Sequence, residues 1–147
     1  MDKFSKIIRS EIMASIRSKN TYPELRVRSM AHRLGFRFRL HSQKLPGSPD
    51  LVFPSRHKVI FVHGCFWHRH SCPVGRKVPL SNKGYWLSKF IRNKNRDARR
   101  IKDLGKLGWD VLVVWECEIS DNLALAKKLS TYLGQLSRRR VAAQPNS

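Results

Sequence analysis

The chain has 147 residues and a mass of 17.1 kDa, which is enough for one domain with a hydrophobic core. It contains no apolar run long enough to cross a bilayer, which argues against a transmembrane protein. Thirty Lys and Arg residues against ten Asp and Glu residues give a formal net charge of +20, and such a charge favours a polyanionic partner, above all nucleic acid.

Two other classes of basic protein fit the charge less well. A membrane-surface protein would carry a basic amphipathic helix with a bulky apolar face, and a ribosomal-type structural protein would not need a cluster of histidines. The first residues, 1–6, lack the apolar region of a signal peptide. We therefore expect a cytoplasmic protein that binds nucleic acid and no membrane.

The first predicted elements are two helices. Apolar residues recur at helical spacing over residues 4–16 with basic residues between them, which indicates a basic N-terminal helix or arm. Residues 18–20 break this pattern. Thr21 and Glu24 have the spacing of a capping box and predict the start of a second helix, and Gly35 predicts its end.

Three strands are predicted next. Residues 36–40 alternate between apolar and basic side chains, as in a strand with one buried face. A loop containing Pro and Gly, residues 41–49, leads to a short apolar strand at residues 50–53. After a turn, residues 58–63 form an almost continuous apolar run, which indicates a strand in the interior of a sheet.

The second half of the sequence alternates helix, strand and helix. A long helix with one basic face is predicted over residues 85–107, and Gly108 ends it. A buried strand at residues 110–115 and an amphipathic helix at residues 122–136 follow. The arginine-rich tail, residues 137–147, is expected to be disordered.

This order of elements predicts an α/β fold with helices around a mixed sheet. We divide the chain into a basic N-terminal arm at residues 1–18, a folded domain at residues 19–136 and the tail at residues 137–147.

A group of histidines and cysteines follows the predicted interior strand. Structural zinc is held tetrahedrally by four Cys or His ligands, and those available nearby are Cys65, Cys72 and either His68 or His70, with Cys117 as the natural fourth. Spacing alone does not choose between the two histidines. The alternative is that the cysteines are small buried hydrophobic residues. A disulfide between Cys65 and Cys72 would leave Cys117 without a partner.

Asp50 is one of only ten acids, and it lies where a loop enters an apolar strand. Burial of an unneutralised carboxylate is costly, and a divalent cation offsets that cost efficiently. A Mg²⁺ ion at Asp50 would polarise a phosphodiester and stabilise the leaving 3′ oxygen, while His63 and His68 could move protons near neutral pH. The alternative is that Asp50 only caps the loop.

Phe66 and Trp67 directly follow the first of these cysteines. Aromatic side chains are usually buried in a core. A tight turn at a zinc site leaves little core for two large rings, so in a protein this basic we also consider a wedge that enters a base-pair step of DNA.

These motifs resemble those of the very-short-patch repair (Vsr) DNA mismatch endonucleases. The resemblance is carried by Phe-Val-His-Gly-Cys-Phe-Trp-His at residues 61–68, by Trp-Asp-Val-Leu-Val-Val-Trp-Glu-Cys at residues 109–117, by Cys72 and by Leu-Pro-Gly-Ser-Pro-Asp at residues 45–50. It implies a restriction-endonuclease-like three-layer fold with a central mixed sheet and a structural zinc site. It also implies a nick on the 5′ side of the thymine in T:G mismatches, which arise when 5-methylcytosine deaminates.

The resemblance further implies roles for single residues near the reacting phosphate. Asp50 matches the Mg²⁺ ligand, assisted by the main-chain carbonyl of Val62, and Glu24 matches a residue that reaches the metal through water. His68 matches the proton-transfer histidine, with His63 beside it.

Zinc ligands and DNA contacts are implied in the same way. The structural zinc ligands correspond to Cys65, His70, Cys72 and Cys117. The aromatic wedge corresponds to Phe66, Trp67 and Trp86, and the N-terminal element on the minor-groove side to Met13 and Ile16.

The sequence departs from the family pattern at two points. Val62 stands where the family often has Thr, which is tolerable if only the carbonyl binds metal. The second acid and the lysine of the wider nuclease superfamily are missing after Asp50, so a histidine is expected to supply the proton chemistry.

The sequence therefore predicts a Mg²⁺-dependent, strand-specific DNA endonuclease with a structural zinc. We expect it to act as a monomer on T:G mismatches in double-stranded DNA. Contacts with other repair proteins are left open. One alternative is a catalytically silent zinc module that binds DNA with the same wedge. Another is a restriction-type nuclease that cuts matched DNA equally well.

Overall fold

The computed structural model describes residues 20–134, so the predicted N-terminal arm with Met13 and Ile16, and the tail, lie outside the described residues. The first described helix, α1, spans Tyr22–Arg33. Its start was predicted correctly, because the Thr21 hydroxyl accepts from the Glu24 backbone N–H (3.4 Å) and the Glu24 carboxylate accepts from the Asn20 backbone N–H (3.3 Å).

Four strands form one mixed sheet in the order β1-β2-β3-β4. Their bounds are Arg39–Leu40 for β1, Leu51–Phe53 for β2, Lys58–His63 for β3 and Asp110–Trp115 for β4. The first two pairings are antiparallel and the β3–β4 pairing is parallel. The predicted mixed sheet and the interior position of residues 58–63 are confirmed.

The predicted strand at residues 36–40 is longer than the strand observed. Only Arg39 and Leu40 pair, with Val52 and Leu51 respectively, because the neighbouring strand β2 has just three residues. The alternation itself is informative, since Phe36 and Phe38 pack against the core although they lie outside the ladder. The strand predicted at residues 50–53 likewise begins one residue later.

Two helices complete the described fold. Helix α2 spans Lys83–Lys106 and makes the crossover between the parallel strands β3 and β4. Helix α3 spans Asn122–Gly134, and the remainder of the helix predicted to residue 136 lies outside the described residues. No helix in this part of the chain is long and apolar enough to span a bilayer.

Alternating side chains of the strands build a core on each face of the sheet. On one face α1 and α3 pack against Leu51, Phe53 and Ile60. On the other face Leu104 of α2 packs against Val52 and Val59. The sheet therefore lies between a layer of two helices and a layer of one.

The parallel pairing of β3 and β4 determines where the candidate site lies. His63 and Trp115, the last residues of these two strands, lie side by side in the register. The segments that follow them, one with the first two cysteines and the other with Cys117, therefore leave the sheet at the same edge.

Candidate functional site

A cluster of two acids and a histidine lies at the start of β2. Asp50 accepts a hydrogen bond from the Val62 backbone N–H at its Oδ2 atom (2.6 Å). The Glu24 Oε2 atom lies 3.0 Å from His41 Nε2 and 2.9 Å from Arg28 Nη2. The ligand atoms of Glu24, His41 and Asp50 lie within 4.8 Å of one another and could hold a metal ion.

The Asp50 carboxyl group occupies a site that disfavours its charge. Burial raises its pKa to about 6, the Val62 N–H opposes this shift, and the nearby Glu24 adds to it. A cation placed beside both carboxylates would remove much of this penalty. The sequence predicts Asp50 and Glu24 at this site, whereas it places His41 only in a loop.

Two histidine rings stack beside this cluster. The rings of His63, the last residue of β3, and His68 have centroids 3.7 Å apart and are nearly parallel, at 7°. Burial lowers the pKa of His63 to about 3, and the charge of the neighbouring His68 acts in the same direction. His63 is therefore neutral at physiological pH.

His68 is oriented by an acid that was not among the residues predicted from the sequence. Its Nδ1 atom lies 2.5 Å from Oδ2 of Asp97 in α2. Burial by itself would raise the pKa of Asp97, but the hydrogen bond and charge of His68 lower it below its usual value. An acid on Nδ1 directs the other ring nitrogen, Nε2, away from the helix. One feature of the sequence could have indicated Asp97: it is the one acid between residues 92 and 102, in a strongly basic segment.

The two carboxylates of the first cluster and the two histidines border one open cleft of about 780 Å³. Asp50, Glu24 and Val62 lie on its lining, as do His63, His68 and Asp97, so all the predicted catalytic residues share this space. Two basic residues of α2, Arg96 and Arg100, also line the cleft. A phosphodiester placed there would meet carboxylates, an oriented imidazole and guanidinium groups together.

An aromatic cluster forms the wall of the cleft beside the histidines. The rings of Phe66 and Trp67 have centroids 5.0 Å apart, and Trp86 lies 5.5 Å from Trp67. All three side chains are partly exposed and belong to neither hydrophobic core. Asn93 of α2 donates to the Trp67 carbonyl (3.2 Å), and Lys89 Nζ lies 5.1 Å from the Trp67 ring centroid. The helix thus holds these rings at the cleft.

The three cysteines and His70 form a separate cluster. Their ligand atoms lie within 4.8 Å of one another, with His70 Nδ1 3.5 Å from Cys117 Sγ, and all three cysteines are free thiols. His68 is instead engaged by Asp97, so the structure brings His70 and not His68 to the cysteines. Three sulfurs and one imidazole nitrogen fit the donor set of a structural zinc ion.

Local backbone geometry shapes this second cluster. The Gly75 N–H donates to Cys72 Sγ (3.4 Å), and this bond, followed by one from the His70 side chain, lowers the pKa of Cys72. Burial raises the pKa of Cys65. A Cβ atom at Gly75 would lie 1.9 Å from the His70 carbonyl oxygen, so only glycine fits. Spacing in the sequence did not reveal this requirement.

Helix α2 carries an exposed basic surface along its length. Its exposed members are Arg92, Lys94, Arg96, Arg99 and Lys102. Because the same helix supplies Asp97 and Asn93 to the cleft, this positive surface runs directly alongside the candidate site.

Comparison with known proteins identifies sequence relatives over most of the chain. The family model described as DNA mismatch endonuclease Vsr matches residues 1–74. The Type II nicking enzyme V.XorIIP of Xanthomonas oryzae pv. oryzae is 51% identical over 132 residues, which are 90% of this chain and 96% of that protein. The DNA mismatch endonuclease Vsr of Escherichia coli is 43% identical over 118 residues, which are 80% of this chain and 75% of that protein. The Type II nicking enzyme V.NmeAIP of Neisseria meningitidis is 38% identical over 135 residues, 92% of this chain and 96% of that protein.

Proposed function

The chain belongs to the Vsr family of DNA mismatch endonucleases, and from this premise we propose that it nicks one strand of duplex DNA on the 5′ side of the thymine in a T:G mismatch. Such mismatches arise when 5-methylcytosine deaminates. The observation that carries the proposal is a cleft whose lining brings Asp50 and the oriented His68 together with the partly exposed rings of Phe66 and Trp67. Residues suited to hydrolysis therefore lie next to aromatic rings suited to opening a base-pair step.

Asp50 is the main candidate ligand of a catalytic Mg²⁺ ion, with the main-chain carbonyl of Val62 beside it and Glu24 acting through water. The donor set fits, because carboxylate and carbonyl oxygens are the ligands that Mg²⁺ prefers. When bound, the ion supplies charge neutralisation at the phosphodiester and at the leaving 3′ oxygen.

The proton chemistry is assigned to His68. Asp97 accepts a hydrogen bond from Nδ1 and fixes the ring, so that Nε2 can exchange a proton with the attacking water or the leaving group. His63 stays neutral and supports the His68 ring by stacking. Arg96 and Arg100, on the same lining, are suited to hold the phosphate of the strand to be cut.

A structural zinc ion is proposed at Cys65, His70, Cys72 and Cys117. The support is the convergence of four suitable ligand atoms from segments after two different strands. The ion would bind the loop after β3 to the end of β4 and so hold Phe66 and Trp67 in position. The restriction-endonuclease-like fold is proposed on the same family basis.

Mismatch recognition is assigned to Phe66 and Trp67, with Trp86 behind them and with Met13 and Ile16 of the N-terminal arm on the minor-groove side. Phe66 and Trp67 are partly exposed on the cleft lining and Trp86 is partly exposed beside them, which supports the wedge over core packing for these three residues. We further propose that the unit at residues 19–136 acts as a monomer in the cytoplasm.

A nicking assay tests this function. Two duplexes that differ only at one T:G or matched pair are incubated with the zinc-loaded protein and Mg²⁺, and nicks are mapped on each strand. The proposal expects a nick 5′ of the mismatched thymine and little cleavage of the matched duplex. Equal cleavage of both duplexes would instead support a restriction-type nuclease, and binding without cleavage a silent DNA-binding module.

A further inference from the structure

His41 lies between the two carboxylates of the candidate metal site. Its side chain is 14% exposed, against 9% for Glu24 and 18% for Asp50, so all three groups are largely withdrawn from water. The His41 backbone N–H donates to the Asp50 carbonyl (3.3 Å), which fixes one end of the loop to the other. His41 also has a positive φ of 45°, a conformation that costs energy for a non-glycine residue.

The Asp50 carboxylate has one oxygen engaged and one facing this histidine. The Val62 N–H donates a hydrogen bond to Asp50 Oδ2, and Asp50 Oδ1 lies 4.0 Å from His41 Nε2. The same Nε2 atom lies 3.0 Å from Glu24 Oε2. Neighbouring ligands of an octahedral ion with bonds of about 2.1 Å are roughly 3 Å apart and opposite ligands roughly 4 Å apart. The 4.0 Å between Asp50 Oδ1 and His41 Nε2 matches the separation of opposite ligands, and the ligand atoms of Asp50, His41 and Glu24 all lie within 4.8 Å of one another.

We propose that His41 is a nitrogen ligand of the divalent cation at Asp50, with Glu24 beside it acting through water, and that it shifts the preference of this site towards Mn²⁺ relative to Mg²⁺. The inference deepens the proposed function and rests on its metal site at Asp50. Imidazole nitrogen is a better ligand for first-row transition metals than for Mg²⁺, which prefers oxygen. A site of oxygen atoms alone would lack this bias.

Metal binding in the absence of DNA provides the test. The zinc-loaded full chain is titrated with Mn²⁺ while free Mn²⁺ is followed by electron paramagnetic resonance, and Mg²⁺ affinity is obtained by competition. His41→Asn removes the imidazole while Asn tolerates the positive φ. We expect Mn²⁺ affinity to fall about tenfold and Mg²⁺ affinity to change less than about threefold. His32→Asn, at an exposed histidine of α1, serves as the matched control.

A spectroscopic readout tests ligation directly. Electron spin echo measurements on the Mn²⁺ complex should show coupling to a ¹⁴N nucleus in the wild type, and His41→Asn should remove that coupling. His41→Gln repeats both measurements if the Asn variant loses its zinc or its circular dichroism spectrum.

The outcomes separate the two proposals. If Asp50→Asn abolishes Mn²⁺ binding while the His41 variants keep wild-type affinity and nitrogen coupling, His41 is not a ligand and only the present inference is overturned. If Asp50→Asn also binds Mn²⁺ normally, the metal site of the proposed function is overturned as well.

Discussion

At the residue scale, His68 depends on Asp97 for its orientation. The pair is joined by a 2.5 Å contact from Nδ1 to Oδ2, and the other ring nitrogen is left for the substrate. Asp97→Asn keeps the shape of the side chain but replaces the carboxylate that fixes the ring, so the nicking rate should fall by about 10²-fold or more. Single-turnover nicking under saturating enzyme measures this effect.

Duplex binding is the accompanying readout, and it should change little in Asp97→Asn. Asp103→Asn, at the other acid of the same helix, is the matched control and should nick at the wild-type rate. An Asp97→Asn variant with wild-type nicking would leave Asp97 with a purely structural role.

Asp50, the candidate metal ligand, lies where its charged form opposes stability. Burial raises the pKa of Asp50 from 3.8 to about 6. Proton binding by this carboxyl group therefore adds to the free energy of unfolding below about pH 4, and this contribution is lost as the pH rises through about 6. At pH 7 without added Mg²⁺, Asp50→Asn should therefore raise the free energy of unfolding, by at most about 3 kcal/mol. Urea unfolding measures the gain, which should shrink towards pH 4; an equal gain at both pH values would contradict the cause.

Asp50→Asn should abolish nicking and leave duplex affinity near normal. The amide would not bind Mg²⁺ as the carboxylate would, and the DNA-binding surface of the protein is unchanged. Gel-shift and nicking assays on one preparation measure the two properties. Full activity of this variant would remove Asp50 from the catalytic site.

At the scale of single elements, helix α2 lines the candidate cleft and also carries a basic surface. Phosphate contacts carry no sequence information, so neutralising Arg92 and Arg99 together should weaken matched and mismatched duplexes alike. The slope of log affinity against log salt should decrease by about two units. Neutralising Arg33 and Lys127, exposed on α1 and α3, is the control. A changed mismatch preference would mean that the α2 residues read bases.

The loop after β3 carries three of the four candidate zinc ligands. We expect about one zinc per protein, and Cys117→Ala should lower stability severely because structural zinc contributes on the order of 10 kcal/mol in small domains. Elemental analysis and thermal unfolding with and without a chelator measure both effects. Ser71→Ala, at an exposed position of the same loop, is the control. Folded, active protein without zinc would remove this site.

At the scale of the whole molecule, the net charge should set the affinity for any duplex, and the aromatic rings should set the preference for a mismatch. A wobble T:G pair is easier to unstack than a matched pair, and stacking of a ring is worth roughly 1 to 3 kcal/mol. Trp67→Ala should therefore reduce mismatch binding and cleavage by about tenfold to a hundredfold. Non-specific affinity, set by the net charge of +20, should hardly move.

Competition between T:G and matched duplexes measures this ratio. Leu123→Ala removes another exposed apolar side chain, on α3 and away from the cleft, and should preserve the wild-type preference. An unchanged ratio in Trp67→Ala would mean that Trp67 is core packing and that the wedge is wrong.

Local patterns in the sequence determined the elements and much of the chemistry. Capping residues set the start of α1, alternation marked Phe36 and Phe38, and apolar runs marked β3 and β4, because each signal depends on neighbours along the chain. The density of histidine and cysteine after β3 indicated a metal site, and the motif resemblance indicated the family that the comparisons support.

Only the tertiary structure decided which of these residues meet. Parallel pairing of β3 and β4 brings Cys117 to a loop more than forty residues away, α2 delivers Asp97 to His68, and the fold of residues 41–50 places His41 between two carboxylates. It also engages His68 with Asp97 and leaves His70 for the cysteines, a choice that spacing left open. The physical reason is that ligand geometry depends on distances across the sheet, which are fixed by register and packing and not by separation along the chain.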